Sequence, residues 1–155
     1  MIIERETLQK KADRIGLALA GAVPVGPTPS WSAYRAWINH GYAADMVYLS
    51  RPDAVRRRED PRNIMPEART VLVVAASYVG GSHPTLPPLH GRVSRYAWGE
   101  DYHRWLLKQL KELVGILTEK APDSRRVRTY VDTGPILERA WAQRAGLGWI
   151  GKNTN

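Results

Sequence analysis

Residues 70–77, TVLVVAAS, constrain the fold more than any other stretch of the chain. The segment is β-branched and apolar on both faces, and a strand lying on water along one face would alternate apolar with polar residues instead. It therefore reads as a central strand covered on each side, and a covered strand needs helices to cover it. One such helix is expected from Asp101 to about Lys120, where Tyr102, Leu106, Leu110, Leu113 and Leu117 form a single apolar stripe, Asp101 stands at the cap and Pro122 lies beyond the end. A second apolar run, LALAGAV at residues 17–23, follows a helical alternation over residues 6–16 and suits another strand.

The remaining elements are placed by their boundaries. Residues 23–30, VPVGPTPS, hold too much Pro and Gly for regular structure, and Ser30 is a candidate cap for a helix over residues 31–41. A short helix is expected near Met46 to Leu49. Residues 80–91, GGSHPTLPPLHG, form a loop whose prolines forbid a sheet ladder. Residues 127–131, VRTYV, read as a further strand, and Pro135 suits the first turn of a helix that stops at Gly146. Strands separated by helices define an α/β (α+β) class, a mixed sheet flanked by helices. At 155 residues the chain has the size of a single domain, residues 1–155, and it reads as cut at GWIGKNTN.

Composition excludes several classes of function. With no cysteine there is no disulfide framework, no Cys-ligated zinc and no iron–sulfur cluster within these residues. No long uncharged apolar run is present to span a membrane, and the charged amino terminus lacks a signal peptide's apolar core, so a cytoplasmic address is expected. The 23 Lys and Arg exceed the 15 Asp and Glu, for a formal charge of +8. Arg51, Arg56, Arg57, Arg58 and Arg62 fall together, as do Arg125, Arg126 and Arg128. Such runs suit nucleic acid or a phosphorylated ligand, and equally suit solvated loop surface.

Five features are candidates for chemistry. GLGWIG, from Gly146, satisfies dinucleotide-fold spacing, but it follows a helix where that fingerprint should leave a strand, so a helix cap and tight turn explain at least its first glycine. Lys152, Asn153 and Thr154, just beyond, offer donors and acceptors for the amide or phosphate groups of a ligand. In SRYAW, residues 94–98, Arg95 and Tyr96 set a guanidinium beside an aromatic face, an arrangement that holds planar rings and phosphates as well as ordinary core. Asp132 ends the expected strand just ahead of Thr133, Gly134 and Pro135, where α/β proteins gather their sites and where turn-forming aspartates are also common. His103 in Asp101-Tyr102-His103 reads as a helix-surface histidine, and the histidines are too scattered to suggest a metal site.

The strings SRYAWGEDYH from Ser94 and YVDTGPILERAWAQRAGLGWIGKNTN from Tyr130, with Met46, Tyr48, Leu49 and Arg51 upstream, closely resemble the amino-terminal domain of the epoxyqueuosine reductases, from about Leu8 onward. The resemblance implies a degenerate nitroreductase-like fold that holds cobalamin without a protein histidine ligand. It also implies [4Fe–4S] clusters in a ferredoxin-like domain downstream of Asn155, and a monomer when complete. The implied substrate is tRNA carrying epoxyqueuosine, which is reduced to queuosine, with Asp132 as proton donor. Arg95, Tyr96, Asp132, Lys152, Asn153 and Thr154 would then line the cobalamin or substrate side, while Arg56, Arg57 and Arg58 would meet tRNA phosphates. A flavin-binding nitroreductase relative, or a non-catalytic corrinoid- or RNA-binding module, are the alternatives.

Overall fold

The computed structural model describes residues 4–82, 85–119 and 127–151. Its elements, in chain order, are α1 (Arg5–Asp13), β1 (Leu19–Pro24), α2 (Trp31–Asn39), α3 (Val47–Ser50), α4 (Pro52–Glu59), β2 (Thr70–Ala75), α5 (Tyr102–Thr118) and α6 (Glu138–Arg144), with single 3₁₀ turns at Pro61–Asn63 and Arg95–Ala97.

The apolar segment at residues 70–77 forms β2, and its partner is the LALAGAV run. The two pair antiparallel, from Leu19 opposite Ala75 to Pro24 opposite Thr70, and make up the sheet among the described residues. Pro24 lies at the end of its strand, where a missing N–H costs no interior ladder bond. On one face of this ribbon α1 and α5 close the main core: Leu8, Ala12, Ile15, Leu17, Ala20 and Leu113 are buried together, with Leu72, Val74, Trp105, Leu106 and Ile116 packed against them. The other face meets the end of α6. A Cβ on Gly21 would come within 3.0 Å of both the Ala145 carbonyl oxygen and the Leu147 side chain, so only glycine admits this approach. Trp141 of α6 is 1% exposed. Both faces of β2 are thus covered, which is why neither carries a charge.

Several expectations need correcting. β2 is not central among the described residues, because β1 is its one strand neighbour. Residues 127–131 form no strand and pair with neither β1 nor β2: β-branched composition becomes a strand only where a partner strand takes up its backbone hydrogen bonds. Ser30 does stand at the start of α2 but in the left-handed region, φ +58°, with no side-chain cap; its carbonyl accepts from the Tyr34 N–H instead. The last helix begins at Glu138, later than Pro135. The arginine stretch is not a loop but the helix α4, which Pro52 opens. Asp101 caps α5 as expected, its carboxylate accepting the His103 N–H at 3.0 Å. Gly146, at φ +71°, ends α6, and the Leu147 N–H returns to the Ala142 carbonyl in the manner of a left-handed helix stop.

Candidate active site

Asp132 sits on a tight turn between the residues after α5 and the start of α6. The Thr133 N–H reaches back to the Val131 carbonyl at 2.5 Å, closing a three-residue turn whose middle residue, Asp132, is held at φ +54°. That conformation costs an L-residue about 1–2 kcal/mol, although aspartate tolerates it better than most. Gly134 keeps the turn narrow, since a Cβ there would lie 2.5 Å from the Tyr130 ring.

Two elements converge on Asp132. From the first turn of α5, the Tyr102 hydroxyl donates to Oδ2, and His103 Nε2 lies 3.5 Å from the same oxygen. The other ring nitrogen of His103, Nδ1, is 2.8 Å from the Asp101 carboxylate, so the imidazole bridges two acids. From the first turn of α6, the Glu138 Oε1 accepts the backbone N–H of Asp132 at 3.1 Å. Tyr96 packs edge-on to Tyr102 with ring centroids 6.0 Å apart, and Tyr102 stacks on His103 at 4.1 Å. The result is a connected set, Tyr96, Tyr102, His103, Asp101, Asp132 and Glu138. A cavity of about 410 Å³, lined by His103, Leu107, Tyr130 and Thr133 among others, opens beside it.

The electrostatics divide these groups. The Tyr102 phenol is pushed up to about 12, chiefly because its O–H is donated to Asp132, so that ionisation would both break that bond and set two anions together. Burial raises the Glu138 carboxyl above its ordinary value; the Asp132 N–H opposes this and the Asp132 carboxylate reinforces it. Asp101 is held below the usual carboxylate range by its bond to His103. Asp132 itself faces outward, its side chain 51% exposed.

Of the expected site residues, Asp132 and Tyr96 are brought together through Tyr102. Arg95, in the same 3₁₀ turn as Tyr96, is half-buried, and its Nε has no hydrogen-bond partner among the described residues. Lys152, Asn153 and Thr154 lie outside the described residues. The arginines of α4 are split by helical geometry. Arg56 and Arg57 are exposed, the latter 3.5 Å from Asp53, whereas Arg58 is 8% exposed and its guanidinium covers the Tyr34 ring at 5.9 Å. Arg58 is therefore corrected from a surface contact to a packing residue. From the sequence Tyr102 reads as part of the apolar stripe and Glu138 as plain helix; the structure adds both to the site, and the one signal the sequence holds for them is their place in the first turn of a helix flanking an acidic turn. No helix among the described residues is long and apolar enough to cross a membrane.

Comparison with known proteins agrees with this architecture. The family described as "Epoxyqueuosine reductase QueG, DUF1730" matches residues 58–133. The epoxyqueuosine reductase of Synechocystis sp. is 46% identical over 138 residues, covering 87% of this chain and 46% of that protein. The structure of the Streptococcus thermophilus epoxyqueuosine reductase superposes with a TM-score of 0.79 at 25% identity, over 96% of this chain and 40% of that one. A crystal structure of epoxyqueuosine reductase with an epoxyqueuosine-modified tRNA stem loop matches at 0.70 and 29% identity, over 97% and 40%. The Bacillus subtilis reductase, solved with its catalytic aspartate loop swung out of the active site, matches at 0.69 and 26%, again over 97% and 40%. The covered ribbon and the acidic turn beside it define an α/β domain that recurs within larger reductases. In sequence and in fold the chain is similar to the epoxyqueuosine reductases. It spans less than half the length of the curated relative described above, 46% of it.

Proposed function

We infer that this chain is the amino-terminal, cobalamin-holding domain of a cytoplasmic, monomeric reductase that converts epoxyqueuosine in tRNA to queuosine, with Asp132 as the proton donor. The observation that carries this reading is Asp132 itself, at the tip of a strained turn, its exposed carboxylate held from α5 by Tyr102 and its backbone N–H held from α6 by Glu138. Strain at a polar residue that the surroundings hold in place is characteristic of functional positions. The catalytic aspartate loop of the Bacillus subtilis relative, swung out of the active site in its structure, supports assigning the same task to this turn.

The residues present fit a corrinoid on an open face. The two cavities, about 370 and 410 Å³, are of a size for small ligands and would not enclose so large a macrocycle. Tyr96 is 54% and Trp149 84% exposed, two aromatic rings left uncovered, and Arg95 stands beside Tyr96 in the same 3₁₀ turn. Arg95 and Tyr96, with Lys152, Asn153 and Thr154, would hold the group. When bound, cobalamin would supply the electrons for breaking the C–O bond, fed from [4Fe–4S] clusters in a downstream domain. The protein's own task is then to position the modified base, to exclude water and, with Asp132 carrying a proton at the moment that bond breaks, to deliver it to the oxygen. Tyr102, a neutral donor across the working pH range, orients Oδ2 without contributing charge.

The test is Asp132→Asn in the complete reductase. Turnover should fall by a factor of about 10² or more, the usual worth of a positioned general acid, while the visible spectrum of bound cobalamin stays unchanged. Full activity in this variant would reject the assignment.

A further inference from the structure

The Asp132 turn poses a physical question that the proton-donor role leaves open: what holds an exposed, strained residue in one place. The turn's own bond, Thr133 N–H to Val131 carbonyl, closes the loop but does not tie it to the rest of the molecule. Tyr102 and His103 hold only the end of the side chain. The backbone of Asp132 has one tie to a secondary-structure element among its described contacts, the 3.1 Å bond from its N–H to Glu138 Oε1. Glu138 is well suited to this. It stands in the first turn of α6, whose next residues Ala140 and Trp141 are buried, so its own backbone is anchored. Its carboxyl is half-buried and its Oε1 stands 3.1 Å from the amide it accepts.

The geometry points to Glu138 as a positioning residue, a latch that holds the Asp132 turn in its working conformation by accepting that residue's backbone N–H. This deepens the role proposed for Asp132 and rests on it. The latch needs an acceptor oxygen at this position and not a charge, so Glu138→Gln, which keeps Oε1, should preserve it, whereas Glu138→Ala should release the turn. Gly134 sharpens the requirement: with the Tyr130 ring against it, the turn has little room to find a substitute conformation while it remains in place.

Two measurements on the complete reductase test this. Hydrogen exchange on the peptide spanning residues 130–137 reads the Asp132 amide directly and does not depend on turnover. In Glu138→Ala its exchange should quicken about threefold to tenfold, the worth of one hydrogen bond, and kcat should fall by a similar factor with KM within about twofold, because the loss is in arranging the proton and not in binding. Glu138→Gln should restore both values. If Glu138→Ala does not fold, Glu138→Met, which keeps the volume and lacks the oxygen, takes its place. Wild-type exchange in the Ala or Met variant, or a Gln variant as fast and as impaired as Ala, would overturn the latch. Retained turnover in Asp132→Asn would instead sink the proton-donor reading, whatever the exchange data show.

Discussion

Tyr102 and Glu138 hold the same aspartate, one at its carboxylate and the other at its backbone N–H, and both keep their protons more tightly than usual. The phenol stays protonated because its O–H bond to Asp132 pushes it up to about 12, so it serves as a donor at every pH the protein meets. The Glu138 carboxyl, raised by burial, binds its proton more tightly in the folded protein than in the unfolded chain. Below the ordinary value of 4.5 both states are protonated and nothing is lost. As pH rises from there through the folded value, the unfolded chain ionises first, so folding stability declines and the penalty is complete above the folded value. Glu138→Gln has no proton to lose. Its urea midpoint relative to wild type should therefore improve between about pH 4 and pH 7; a constant difference across that range would show that Glu138 titrates normally.

At the scale of elements, α4 divides three consecutive arginines between two tasks. Helical periodicity turns Arg58 inward over Tyr34 and leaves Arg56 and Arg57 on the outer side. Replacing Arg58 with Gln should cost about 1–2 kcal/mol of stability, through the lost cation–π contact and stem packing. Replacing Arg56 and Arg57 should leave the melting temperature near wild type but weaken tRNA binding. Each phosphate contact removed should reduce the slope of log K against log salt by roughly 0.7 to 0.9. A salt dependence unchanged in the double variant would remove α4 from the tRNA surface. Charge counting along the sequence marked this stretch as basic, but only the helix and what it packs on decide which guanidinium is free.

For the whole molecule, the two-stranded ribbon is too small to be stable alone, and its helical cover makes the domain. Trp141, in the layer opposite α1 and α5, fixes α6 and with it Glu138. Trp141→Ala should cost about 3–5 kcal/mol, read as a fall in the denaturant midpoint; a loss below about 1 kcal/mol would mean that α6 is held by other contacts. What the sequence determined by itself was written in contiguous residues: the doubly apolar strand at residues 70–77, the Leu110 and Leu113 stripe, the Asp101 cap and the Gly146 stop all depend on neighbours a few positions away. The identity of β2's partner, the failure of residues 127–131 to pair, the inward turn of Arg58, and the meeting of Tyr102 with Asp132 across 30 positions were decided only in the tertiary structure. Periodicity and capping are local properties of a chain, whereas a strand's partner and a carboxylate's neighbours are chosen by which surfaces pack together.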